Sequence, residues 1–183
     1  MFQVVAAESQ NDNGLFYTRP NKDSQLITTR SANVKVFIQN EAGSKTKNFH
    51  NEKTLEYQYS TQVSRPYPYP YGFILDTTAD DGCNVDCYIL TGQSLPTGTI
   101  VDCEPIALLE QIEDDEVDHN ILAVMPGETA PDQHEYLAVL TDFIHHVFDH
   151  IKGKQIEVGR LLSTQTALDH IKSQSDSSAR PST

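Results

Sequence analysis

Two aspartates five positions apart, Asp81 and Asp86, bracket the turn Asp80-Asp81-Gly82-Cys83-Asn84-Val85-Asp86. Apolar runs flank it, Phe73-Ile74-Leu75 before and Tyr88-Ile89-Leu90 after. Strand, acidic turn, strand is a way to hold several carboxylates at one end of a sheet. A second acidic run, Glu113-Asp114-Asp115-Glu116-Val117-Asp118, leads into the apolar Ile121-Leu122-Ala123-Val124-Met125. Carboxylates that converge without strong bases nearby suit hard cations; Mg²⁺ takes oxygen ligands in a near-octahedral array and keeps several waters. Such a cation screens anionic oxygens and lowers the pKa of a bound water. Asp81, Asp86 and Asp118 are placed for this if the strands bring the two acidic segments together. The competing reading is plain: a charge run is ordinarily a solvated loop. An EF-hand is a poor rival, because no stretch alternates oxygen ligands with glycine at the sixth and glutamate at the twelfth position.

The elements that must position these residues are mostly strands. Val34, Val36 and Ile38 alternate with Lys35 and Phe37, and Leu55, Tyr57 and Tyr59 with Glu56 and Gln58, so each set predicts a strand. The apolar runs around the first acidic turn supply a third and fourth. Residues 99–103 and 106–112 predict one or two more, and the run at 121–125 another, stopped by Pro126-Gly127. A helix is predicted from Pro131-Asp132, with Asp132 as cap and Glu135 three residues on. Its apolar positions run from Tyr136 to Ile151 at three- and four-residue intervals, and Gly153 ends it. A last strand is predicted at 155–158 and a weaker helix at 163–171. Many short strands followed by helices predict an α+β domain, a small barrel with helices packed outside. The expected organisation is a polar N-terminal extension at 1–32, one domain at 33–172, and a Ser-rich disordered tail at 173–183.

The 183 residues carry a formal net charge of −13. That argues against nucleic acid, whose phosphates call for a surplus of Lys and Arg. A phosphate substrate would have to meet local lysines or bound cations in this acidic field. No apolar run is long enough to span a membrane, and the start lacks the basic and apolar regions of a signal peptide, so a cytoplasmic location is expected. Three cysteines, an odd number, make a disulfide framework an unlikely reading of a chain this size.

Residues 67–86, YPYPYGFILDTTADDGCNVD, resemble the signature of the soluble (family I) inorganic pyrophosphatases, roughly Y-P-x-N-Y-G-F-I, a spacer, then D-G-D-P-x-D. The family's segment M-x-D-E-x-x-x-D-x-K-I-x-A-V-P is similar to residues 112–126, where Glu113 stands at the first aspartate and Asp118 matches outright. The resemblance covers about residues 34–160 and is strongest over 67–126. It implies a five-stranded, OB-like barrel flanked by two main helices, with the site at the barrel mouth. It implies hydrolysis of pyrophosphate to phosphate with Mg²⁺, or Mn²⁺, held by Asp81, Asp86, Glu113 and Asp118. It further implies that Lys47 and Tyr71 contact pyrophosphate or phosphate, and that the chain forms a homo-oligomer. The order and spacing of these matches favour a metal site over a solvated loop.

The departures all run away from charge. Cys83 stands where the family has the middle aspartate, its candidate general base; a protonated thiol is a poor base and a poor Mg²⁺ ligand. The family lysine after Asp118 is Asn120, and the Tyr-Lys pair of the long helix falls at Val147-Phe148. The phosphate-binding arginine falls at Tyr59, and two glutamates at Phe37 and Phe49. Lys45 or Arg65 could stand in for lost cations. Each lost charge-stabilising group costs about 10²–10³ in rate, so attenuated activity is expected. The alternative is a catalytically inactive homologue serving as a structural or regulatory subunit.

Three further constellations carry less. Cys83, Cys87 and Cys103 with His119 lack a common zinc spacing, and buried structural cysteines are favoured. A mixed site in which Cys83 joins Asp81, Asp86 and Asp118 around a softer metal is a narrower possibility. The four-residue pairs His145/Asp149 and His146/His150 fit a solvated helix face better than a metal site, and Tyr67, Tyr69 and Tyr71 fit strand packing better than a base-stacking platform.

Overall fold

A computed structural model describes residues 33–176. Along the chain run β1 (Val34–Asn40), β2 (Thr46–His50), β3 (Tyr57–Gln62), β4 (Tyr71–Ile74), β5 (Asp86–Ile89), β6 (Ile100–Glu113), β7 (Glu116–Val117), β8 (Asn120–Val124), α1 (Gln133–His146), β9 (Ile156–Leu162) and α2 (Thr164–Ser173). Five strands close on themselves in the order β1-β4-β5-β8-β6 and back to β1. This ring with two helices is the architecture the sequence predicts. All its pairings are antiparallel except β5 with β8.

Alternation within the strands splits the core in two. Cys87 and Ile89 of β5 and Ile121 and Ala123 of β8 join Val36, Ile38, Leu108 and Ala167 in one cluster. Tyr88, Leu90, Leu122 and Val124, their neighbours in sequence, face the other way and pack under α1 against Leu140, Phe143, Ile144 and Val147. Cys87 and Cys103 are therefore fully buried core residues. Gly72 makes the ring close: a Cβ there would lie 1.8 Å from the Phe37 carbonyl oxygen on β1.

Several elements differ from expectation. The segments at 99–103 and 106–112, expected as one or two strands, form one, β6, because a bulge between Pro105 and Ala107 absorbs the proline that cannot donate to the ladder. β2 was hidden in a polar stretch; it pairs with β3 in a separate hairpin. Asp132 caps α1 as predicted, accepting from the His134 and Glu135 amides. The helix ends at His146 rather than at Gly153, since the Val147 carbonyl accepts from the Ser64 amide at 2.9 Å instead of from a following helical turn. His145/Asp149 and His146/His150 are thus not pairs on one helix face. His150 Nδ1 instead lies 2.8 Å from Ser64 Oγ.

α2 is capped by Ser163 and runs to Ser173. The chain beyond it, residues 174–176, hydrogen-bonds along residues 76–78: Thr78 donates its amide to Gln174 O, and Asp176 its amide to Asp76 O. The expected N-terminal extension at 1–32 and the last residues of the expected tail, 177–183, lie outside the described residues. No helix among the described residues is long and apolar enough to cross a membrane.

Candidate active site

The parallel pairing of β5 with β8 decides where the carboxylates go. Cys87 registers with Ile121, so the N-terminal ends of both strands lie at the same rim of the ring. Asp86 opens β5, and Asp118 lies two residues before β8. β6, antiparallel to β8, delivers Glu113 past that rim. The turn at 80–84 brings Asp81 and Cys83 to the same place. Asp81, Cys83, Asp86, Glu113 and Asp118 consequently line one cavity of about 680 Å³, together with Lys47, Tyr71 and Lys154.

Each carboxylate is held. Asp81 Oδ1 accepts from the Cys83 amide at 2.9 Å, which fixes the turn locally. Asp86 Oδ2 accepts from the Tyr71 hydroxyl at 2.5 Å. Asp118 Oδ2 accepts from Gln111 Nε2 at 2.7 Å, and Asn120 Nδ2 donates to Gln111 Oε1 at 3.0 Å. The residue at the family's lysine position therefore anchors a carboxylate. Glu113 and Asp114 are paired with Lys154, the latter at 2.7 Å.

Burial and mutual repulsion dominate the electrostatics. Asp86 is pushed up from 3.8 to about 8, by burial first and then by the charge of Asp118, while the Tyr71 hydrogen bond pulls the other way. Asp118 is raised by burial and by Glu113. The Cys83 thiol is pushed up to about 11, by desolvation first and then by Glu52 and Asp81. It stays protonated at neutral pH and cannot serve as a base.

The residues expected to grip phosphate are arranged unevenly. Lys47 reaches the cavity, its Nζ 5.4 Å from the Phe49 ring centroid and 5.0 Å from that of Phe148. Tyr71 is buried, and its hydroxyl is directed to Asp86. Tyr59 is half exposed and stacks on Phe49, centroids 4.5 Å apart. Val147 is buried beneath α1, and Phe37 stacks on Phe73. Neither Lys45 nor Arg65 lines the cavity.

Sequence reasoning missed Lys154, Glu52, Gln111 and His170, and weighed His119 only beside the cysteines. Lys154 follows the glycine expected to end α1, and only the long turn at 147–153 carries it to the rim. Glu52 lines the cavity from the β2–β3 connection. His119 and His170, 51 positions apart in sequence, line it together with ring centroids 5.9 Å apart. None of these had a spacing signal.

Among the described residues no three His, Cys, Asp or Glu side chains lie close enough together to hold a metal ion as they stand. The donor set nevertheless suits a hard cation: carboxylate oxygens dominate, and two of them, on Asp86 and Asp118, are crowded and desolvated without a full counter-charge.

Comparison with known proteins adds an independent line. The family model described as inorganic pyrophosphatase matches residues 28–178. The inorganic pyrophosphatase of Saccharolobus solfataricus is 27% identical over 151 residues, 76% of this chain and 88% of that protein. That of Aquifex pyrophilus is 31% identical over 116 residues, 58% of this chain and 66% of that protein. Among solved structures, the inorganic pyrophosphatase from Neisseria gonorrhoeae superposes with a TM-score of 0.72 at 23% identity, covering 79% of this chain and 90% of that one. The Thermus thermophilus structure gives 0.71 at 20% identity, covering 80% and 91%. At these identities the structures speak for the fold.

Proposed function

The chain belongs to the inorganic pyrophosphatase family, and from that premise we propose that it hydrolyses pyrophosphate to two phosphates at the rim of the ring, slowly, with Mg²⁺ held by Asp81, Asp86, Glu113 and Asp118. The observation that carries this reading is the cavity at the shared rim of β5 and β8, where those four carboxylates gather beside two lysines. Mn²⁺ is the other hard cation the oxygen donors would accept. The bound cation would supply charge neutralisation and a more acidic water.

The chain's own residues supply the rest. Water oxygen adds to one phosphorus, the bridging P–O bond breaks, and the bridge leaves with the second phosphate. Lys47 is the ammonium best placed for the terminal oxygens, since two aromatic faces hold it in the cavity rather than a carboxylate. Lys154 can turn to substrate only by leaving Glu113 and Asp114. Tyr71 acts through Asp86, fixing its orientation and favouring its ionised form. Cys83 keeps its proton, so it supplies no base at the position of the family's middle aspartate. The proton of the attacking water must leave by solvent or by the substrate itself, which makes the step slow. Self-association into a homo-oligomer belongs to the same proposal and is checked by light scattering.

Steady-state phosphate release from pyrophosphate, with Mg²⁺ or Mn²⁺ and with chelator, tests the reading. Expected is cation-dependent release well below ordinary turnover, which is about 1–10³ per second. Turnover within that range would refute the attenuation. Absence of both phosphate release and cation binding would refute the site.

A further inference from the structure

The connection between β2 and β3 grips the acidic turn from outside the ring. Lys53 Nζ donates to Thr77 O at 3.0 Å, Thr78 Oγ1 at 2.7 Å and Asn84 Oδ1 at 3.1 Å, and lies 3.3 Å from Asp176 Oδ2. The adjacent Glu52 accepts from the Asn84 backbone amide. Asn84, itself buried, is therefore held by its main chain and its side chain from two consecutive residues. It lies between Asp81 and Asp86, one position after Cys83. The tip is itself rigidified, because Asn51 Oδ1 accepts from the Lys53 and Thr54 amides at 3.0 Å each. A third segment completes the grip: Asp176 Oδ1 accepts from Thr78 Oγ1 at 2.6 Å, and residues 174–176 lie along 76–78.

We infer that Lys53, with Glu52, is a positioning residue that holds the turn carrying Asp81 and Cys83 in place for cation binding. The inference rests on the proposed cation site. Lys53 touches none of the expected metal-binding carboxylates and does not itself line the cavity, so its action is through Asn84, which does line it, and through Thr78. Its side chain is 54% exposed, and an ion pair that open to water adds little to global stability. Four oxygen neighbours around one exposed ammonium therefore point to local order in the turn more than to holding up the fold.

Two variants of the full chain separate the possibilities. Lys53→Met removes the ammonium and keeps the stem; Lys53→Arg keeps a cation. Partners behind metal ligands typically change affinity about 10–100-fold when removed. For Lys53→Met we expect Mg²⁺ affinity by calorimetry to fall about tenfold or more, with a thermal midpoint close to wild type and substantial recovery in Lys53→Arg. In the metal-free protein the amides of residues 83–85 should exchange with deuterium about tenfold faster in Lys53→Met. Unchanged Mg²⁺ affinity, or a loss that tracks a large drop in midpoint, overturns the inference. If wild type binds no Mg²⁺, the proposed site fails, and the ordering of the turn by Lys53 stands or falls on the exchange rates alone.

Discussion

Replacing Tyr71 by Phe removes one oxygen from a buried site and leaves the ring in place against Tyr67 and Tyr88, whose centroids lie 5.5 and 4.8 Å away. What is lost is the donor to Asp86 Oδ2. While Asp86 is protonated this is a bond between neutral groups, worth about 0.5–1.5 kcal/mol; to the carboxylate it is worth about 1.5–3 kcal/mol. Asp86 changes charge near 8 in the folded protein. The variant should therefore cost about 1 kcal/mol at pH 6 and about 2–3 kcal/mol at pH 9. In a chain this size that corresponds to roughly 2–4 °C at pH 6 and 4–12 °C at pH 9. The assay is thermal or urea unfolding of both proteins in excess chelator at the two pH values. A cost that is equal at both, or larger at pH 6, refutes the assignment of Tyr71 as the hydrogen bond that favours ionised Asp86.

Three other outcomes are expected. Metal-free wild type should lose stability as pH rises from 6.5 to 8: Asp86 and Asp118 are raised by burial, so the unfolded chain has released protons that the folded one retains, while His50 and His170, held low by burial, oppose this only below that range. The exposed carboxylates held low, Glu110, Asp114, Glu128 and Asp176, act below that window. Urea midpoints at pH 5, 6.5 and 8 read this, and added Mg²⁺ should restore more stability at pH 8 than at pH 5; a midpoint that climbs from pH 6.5 to 8 in chelator counts against it. Cys83→Asp should tighten Mg²⁺ binding and raise phosphate release about tenfold or more, since one preorganised charged group is worth about 10²–10³; turnover no higher than wild type would show that Cys83 is not what limits the rate. Gly72→Ala should destabilise the fold by at least about 1–3 kcal/mol, because its Cβ would meet the Phe37 carbonyl at 1.8 Å; circular dichroism melts check it, and a midpoint within 1 °C of wild type would mean that β1 and β4 tolerate separation there.

The sequence by itself determined the ring and the identity of its acidic corner. Period-two alternation marked β1 and β3, short continuous apolar runs marked β4, β5 and β8, and turn residues bounded them, because each of these is a local signal. The order of Asp81, Asp86 and Asp118 around those strands was legible for the same reason. Only the tertiary structure decided that the four carboxylates share a rim, since that follows from the parallel register of β5 with β8, which no single segment encodes. It alone ended α1 at His146, through a hydrogen bond from Ser64 more than eighty residues earlier in the chain, and so brought Lys154 to Glu113. It turned Tyr71 toward Asp86 and set Asn120 behind Asp118. The grip of Lys53 on Asn84 was likewise invisible in sequence, because one exposed lysine among thirteen cationic residues looks like any other until its four oxygen neighbours are in place.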